Sequence, residues 1–230
     1  MTYLQMSECV NEGTVHECSE TSGSMKQYAG GIIGYTLNGI TINRCRNAGN
    51  ISSGEQSCNA APVNVGGILG GGWNDGSCDW IISNTVNTGT LIERQHSISY
   101  IGGVVGDGAY PLLRLSNIAN FGTLLYTVQD TYAEAAIGGI LGRGCEAEQT
   151  GSTIWNLLQQ HAMTNCVNYG TGQFDSDSKS EEQIDYHAVT GGGLSGNAAA
   201  TAWKNCYEAS VSDLPLFGKE GNGTIMEVHR

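Results

Sequence analysis

Three aspartates are the residues of this chain best placed to do chemistry. Asp75, Asp79 and Asp107 each follow a glycine-rich segment, and on one edge of a sheet they would gather carboxyl groups. Paired carboxyls serve glycosyl transfer, and a base acting with calcium serves elimination from an acidic polysaccharide. Basic side chains that would hold a uronate are few: Arg44, Arg46, Arg94, Arg114 and Arg143. Turn chemistry accounts for the aspartates without catalysis, because Asp bonds readily to nearby backbone. The sequence therefore assigns no catalytic residue.

Other candidate chemistry thins out on inspection. Trp73, Tyr110, Tyr126 and Trp155 fall in turns or variable segments, where exposed rings stack on sugar faces, so they are the candidate glycan-binding residues. Trp80 and Trp203 fall in inward columns and belong to the core. His16-Glu17-Cys18-Ser19-Glu20 begins like a zinc-peptidase helix but ends in glutamate where the second imidazole is needed. Asp175 and Asp177 begin like a calcium loop, yet Ser180 and Tyr186 stand where glycine and glutamate are required. No metal and no cofactor is expected. The eight cysteines form no Cys-x-x-Cys. Cys9 and Cys45 should stack as free thiols in adjacent repeats, as should Cys166 and Cys206, while Cys18 and Cys58 are within reach of pairing across two loops.

These residues ride on a repeat. Gly-Gly-apolar-apolar-Gly occurs at Gly30–Gly34, Gly66–Gly70, Gly102–Gly106 and Gly138–Gly142, each 36 residues after the last, with a degraded fifth copy at Gly192–Gly196. A fixed period in this range means one supersecondary unit stacked several times. The repeat glycines are Gly30, Gly31, Gly66, Gly67, Gly102, Gly103, Gly138 and Gly139. The second landmark is Asn-x-Gly, led by Asn11, Asn47, Asn87, Asn120 and Asn168.

Aligned on that asparagine, the positions seven, five and two residues upstream are mostly apolar, for example Ile40, Ile42 and Cys45. The step of two marks a strand with one face inward. The jump to three marks a corner or bulge. Glu8, Arg44, Asn84, Asn117, Asn165 and Asn205 occupy that corner, where asparagine tolerates a left-handed backbone and can ladder with its neighbours. In the glycine motif the third position (Ile32, Ile68, Val104, Ile140) should face the core and the fourth should pack under a loop or a neighbouring layer.

The predicted fold is all-β: a parallel β-solenoid, right-handed, of five to six coils with a 36-residue repeat. It forms a single domain over 1–230, with an insert at 145–162 that carries a short helix near 150–162, and an acidic loop at 173–188. The chain starts inside a coil, and Leu214-Pro215-Leu216-Phe217 is placed to begin a C-terminal cover. The N-terminal end therefore reads as uncapped, which suits a segment of a longer protein or end-to-end self-association.

Charge narrows the partners. The formal charge is −12, from 22 acidic and 10 basic residues. Such a surface repels phosphate backbones and anionic lipid, so neither nucleic-acid binding nor direct membrane insertion is expected. The N-terminus shows no basic region followed by an apolar run.

Two stretches bring the landmarks together in a recognisable order: Gly66-Gly67-Ile68-Leu69-Gly70 followed by Ile82 to Leu91, and Ile42-Asn43-Arg44-Cys45-Arg46-Asn47-Ala48-Gly49-Asn50-Ile51. They resemble the GLUG repeat of bacterial cell-surface and secreted proteins, some attached to IgA-specific metallopeptidases. The likeness runs from about Leu4 to Ser212. It implies a noncatalytic adhesion or structural module, secreted or at the cell surface, with a glycan or a host surface protein as partner. The peptidase activity does not carry over, since the zinc motif is incomplete. A carbohydrate-active β-helix enzyme (a polysaccharide lyase or glycoside hydrolase) and a phage receptor-binding fibre are the alternative readings.

Overall fold

The computed structural model describes residues 3–17, 26–53, 62–73, 78–95, 98–108, 112–128, 134–143, 162–176, 184–187 and 203–208. Every element among them is a strand, and every strand pairing is parallel. The strands form four sheets, and each sheet takes its strands from successive repeats.

The first sheet runs through β1 (Leu4–Ser7), β6 (Ile40–Asn43), β11 (Asp79–Asn87), β15 (Leu112–Asn120), β19 (Ala162–Asn168) and β22 (Trp203–Glu208). Two short strands, β2 (Val10–Asn11) and β7 (Arg46–Asn47), continue β1 and β6 beyond the corner. The second sheet holds β3 (Val15–His16), β8 (Ile51–Ser52), β12 (Leu91–Gln95), β16 (Thr123–Val128) and β20 (Thr171–Ser176). The third holds β4 (Gln27–Gly30), β9 (Val63–Gly66), β13 (Ile98–Gly102), β17 (Glu134–Gly138) and β21 (Ile184–His187). The fourth holds β5 (Ile33–Thr36), β10 (Leu69–Gly72), β14 (Val105–Asp107) and β18 (Leu141–Arg143).

Burial follows the alternation expected from the sequence. Along β11 the buried residues are Trp80, Ile82, Thr85 and Asn87, a step of two, then three, then two. The step of three is the corner. Glu8, Arg44, Asn84, Asn117 and Asn165 stand there with φ between 52° and 58°, the left-handed region. Asparagine bears that conformation at lower cost than most residues. The corner asparagines also bond in file: Asn84 Nδ2 to Asn43 Oδ1 at 2.8 Å, Asn117 Nδ2 to Asn84 Oδ1 at 2.9 Å, and Asn165 Nδ2 to Asn117 Oδ1 at 3.0 Å.

The interior has two compartments. The first and fourth sheets enclose one, with Ile40, Ile42, Trp80, Ile82, Leu113 and Leu115 facing Leu69, Val105 and Leu141. The second and third sheets enclose the other, with Ile51, Leu91 and Leu124 facing Val63, Val65, Ile101 and Ile137. The glycine motif lies between them. Leu69, Val105 and Leu141, the fourth-position residues, are as buried as Ile68, Val104 and Ile140, and of the two covers expected they have the neighbouring layer, the first sheet, rather than a loop. The reason is a corner. The amides of Ile68 and Leu69 both donate to the Val104 carbonyl, at 2.9 and 3.0 Å, so the chain turns between them and both side chains point inward.

Two further expectations change. The third sheet pairs Gly138 with His187, so its fifth strand is Ile184–His187 and not the glycine copy at 192–196, which lies outside the described residues. Ile184 and Tyr186 stand in register with Ala135 and Ile137. The segment read as an acidic loop at 173–188 begins and ends in strand, Thr171–Ser176 and Ile184–His187. The insert lies outside the described residues as far as 161, and Ala162 already belongs to β19.

A Cβ at Gly102 would collide with the Val105 carbonyl oxygen and lie 2.6 Å from the Gly142 amide nitrogen. Gly102→Ala should therefore destabilise the fold by about 3 kcal/mol or more. Gly13→Ala, where the nearest atom is 3.7 Å away, should stay within about 0.5 kcal/mol of the parent. Urea unfolding followed by circular dichroism separates the two.

Candidate functional site

The Asn-x-Gly asparagines form a second ladder, inside the molecule. Asn11 Nδ2 donates to Asn47 Oδ1 at 2.7 Å, and the Asn47–Asn87, Asn87–Asn120 and Asn120–Asn168 bonds are each 2.8 Å. Asn47, Asn87, Asn120 and Asn168 are fully buried. Each amide also serves its own turn. Asn87 Nδ2 donates to the Gly89 carbonyl, and the Gly89 amide donates back to Asn87 Oδ1, both at 3.2 Å. Two donors and two acceptor positions are thereby filled, which is what burial of a primary amide requires.

The two landmarks of the sequence meet here. A Cβ on Gly31, Gly67 or Gly103 would stand within 2.6 Å of an atom of Asn47, Asn87 or Asn120 respectively. The second glycine of each motif is thus the floor on which the next asparagine amide lies. The sequence expected a ladder only at the corner. The signal for the inner one was a column that stayed asparagine through five repeats while its neighbours varied.

The candidate acids are tied into structure. Arg143 holds Asp107 through two bonds, Nε to Oδ1 at 3.0 Å and Nη2 to Oδ2 at 2.9 Å, with both side chains nearly buried. Arg143 also donates from Nη1 to the Tyr100 hydroxyl at 2.9 Å and lies 4.0 Å above the Tyr100 ring. Asp79 sits 3.6 Å from Arg114 at the surface. Asp75 lies outside the described residues. Cys9 and Cys45 are free thiols, as expected, and burial pushes the Cys45 thiol up from its ordinary value.

Of the four aromatic candidates, Trp73 is 52% exposed. Its amide donates to the Thr36 carbonyl at 3.1 Å, which extends the fourth sheet beyond β10 and sets Trp73 beside exposed Leu37. Tyr126 is 1% exposed, so its assignment as a glycan-binding residue is corrected. It follows Leu124 by two residues on β16, and the strand period turns both inward. Tyr110 and Trp155 lie outside the described residues.

Tyr126 stacks in register on Glu93, a fully buried carboxyl that the sequence reading passed over. Its signal was the same count of two, from inward Leu91. Ser99 donates to Glu93 Oε1 at 3.2 Å. Glu93 Oε2 and the Tyr126 hydroxyl have no hydrogen-bond partner among the described residues. Burial raises the Glu93 pKa to about 8, against the Ser53 and Ser99 hydroxyls, which lower it, and with Glu17 adding to the rise. Burial also pushes the Tyr126 phenol upward. Glu93 is therefore a neutral acid at pH 7, fit to donate a hydrogen bond inside the core.

No family model, no curated protein and no solved structure gives a significant match to this chain. Among the described residues no helix is long and apolar enough to cross a membrane.

Two predictions follow from these interior groups. Asn87→Asp removes both N–H donors and sets a carboxylate against the Asn120 and Gly89 oxygens, so it should cost about 3 kcal/mol or more in urea unfolding at pH 7. Glu93 ionises near 4.5 when unfolded and near 8 when folded. The fold binds that proton more tightly, so stability is fullest below 4.5 and declines as pH rises to 8. Glu93→Gln should remove that part of the slope and melt above the parent at pH 8, as read by thermal scans across the range.

Proposed function

We propose that this chain is a noncatalytic adhesion or structural repeat module of a bacterial cell-surface or secreted protein. It winds as a right-handed parallel β-solenoid whose rungs are the repeats. The GLUG-like order of its landmarks supports that class, and the four parallel sheets in repeat register support the winding.

The observation that carries the binding role is Trp73. It is half exposed at the end of a strand that is otherwise buried, so the ring is held by a rigid element rather than a free loop. Tyr35 and Leu37, 44% and 57% exposed, lie on the neighbouring repeat, in register with Gly71 and next to Thr36. An aromatic face with apolar neighbours takes the C–H face of a sugar ring. Tyr110 and Trp155 come in the matching connections of later repeats, between the fourth-sheet strand and the next first-sheet strand. A glycan of a host surface is the ligand this arrangement suits.

A glycan array with the purified chain tests the reading, run beside an assay for new reducing ends. Binding without cleavage is expected, weakened about tenfold or more by Trp73→Ala with an unchanged melting temperature, since the side chain is exposed. Silence across the array would overturn the glycan role. Release of reducing ends would replace it with the carbohydrate-active enzyme.

A further inference from the structure

The second compartment holds a polar cluster that the asparagine ladder does not reach. Glu93 and Tyr126 stand in register on β12 and β16, so their side chains enter the interior as neighbours. Ser53 lies on the other side of Glu93, fixed by its amide bond to the Ile92 carbonyl at 3.0 Å. Ser99 comes from β13 of the third sheet and reaches across to Glu93. All four are buried, none more than 2% exposed. The surrounding wall is apolar, with Leu91, Leu124, Val63 and Ile101 in the same compartment.

The hydrogen bonds of this cluster do not close. Ser99 gives its one hydroxyl proton to Glu93 Oε1 at 3.2 Å. Ser53 Oγ accepts from the Arg94 amide at 3.3 Å. Glu93 Oε2 and the Tyr126 hydroxyl are left without a partner among the described residues. Two bare polar oxygens inside an apolar wall are strongly disfavoured. Both face one space. Ser99 touches Glu93, and it also stands close enough to the Tyr126 phenol to oppose the rise that burial and Glu93 produce there.

The chemistry of the two oxygens selects the occupant. Glu93 is a neutral acid whose Oε1 already accepts, so Oε2 carries the proton and donates. The Tyr126 hydroxyl donates as well. Two donors call for an acceptor. A cation is none, and a neutral acid gives it no charge to pair with. Burial and the nearby Glu17 already disfavour negative charge at Glu93, and a buried anion would meet the same opposition. A small neutral molecule with two lone pairs and two protons remains. We propose that this cluster binds one internal water molecule, which accepts from Glu93 Oε2 and the Tyr126 hydroxyl and donates to Ser99 Oγ. The water joins the third repeat to the fourth within the second compartment, as the asparagine amides join them between the compartments.

Oxygen-17 relaxation dispersion, which counts long-lived internal waters, tests the site. The double variant Glu93→Leu/Tyr126→Phe removes both donors at similar volume and leaves neither oxygen bare, so it should fold. Its dispersion amplitude should fall below the parent's by the equivalent of about one water. Glu93→Gln keeps an N–H donor in the same place and should hold the full amplitude. A crystal structure of the parent needs no variant, and it should place one water within hydrogen-bond distance of both oxygens. Equal amplitudes in the parent and the double variant, or a direct Glu93–Tyr126 hydrogen bond in the crystal, would overturn the proposal. A melting temperature that rises with sodium at constant ionic strength in the parent, and not in Glu93→Gln, would overturn it in favour of a bound cation.

Discussion

A buried primary amide must satisfy two N–H donors and a carbonyl oxygen at once, and this requirement fixes how the repeats lie on one another. Asn87 meets it with the carbonyl and the amide of Gly89 in its own turn and one asparagine on each side. A slip of one residue in the register would break the side-chain bonds and turn every inward residue outward. The apolar columns alone do not impose so narrow a choice, since Ile, Leu, Val and Met exchange readily at similar volume. The ladder specifies the alignment, and the hydrophobic compartments on either side supply the burial.

Glycine makes that arrangement possible. The amide of Asn87 needs the backbone of Gly67 closer than any Cβ would permit, and Gly89 approaches the Gly49 carbonyl in the same way. The two recurring motifs, separated in the chain, are thus halves of one contact. This accounts for the glycines of both motifs, whose places a residue with a Cβ could not take. The same tight interior explains how a few polar groups are tolerated. Arg143 and Asp107 satisfy one another with the Tyr100 hydroxyl, and Glu93 is held in its neutral form. Buried charges left unpaired would cost several kcal/mol each.

Periodicity revealed the strands well because it reports which side of a strand faces inward. The columns at Trp80, Ile82 and Thr85, the left-handed corner at Asn84 and the stacked thiols at Cys9 and Cys45 were legible for that reason. The failures come where a residue type was read without its column. Tyr126 and Glu93 looked like surface residues by chemistry, yet both stand two residues after an inward leucine. The choice between loop and neighbouring layer over Leu69 and Val105 stayed open because two consecutive inward residues occur only where the chain turns, and the turn rests on hydrogen bonds to the next repeat. The glycine copy at 192–196 attracted attention by composition, while the strand in register, Ile184–His187, lacks glycine altogether.

Repeat length is free to vary only where no column is interrupted. The glycine strands keep a spacing of 36 from Gly30 to Gly138, yet successive ladder asparagines are 36, 40, 33 and 48 residues apart. Both series remain in register. The largest differences therefore fall in the connection from glycine strand to asparagine strand, which runs 17 residues from Gly30 to Asn47 and 30 from Gly138 to Asn168. Trp73, Tyr110 and Trp155 all belong to that connection. Loops that change length without disturbing the core are where binding residues accumulate in repeat proteins. The constraint that makes the interior uniform thus concentrates diversity in one segment of each repeat.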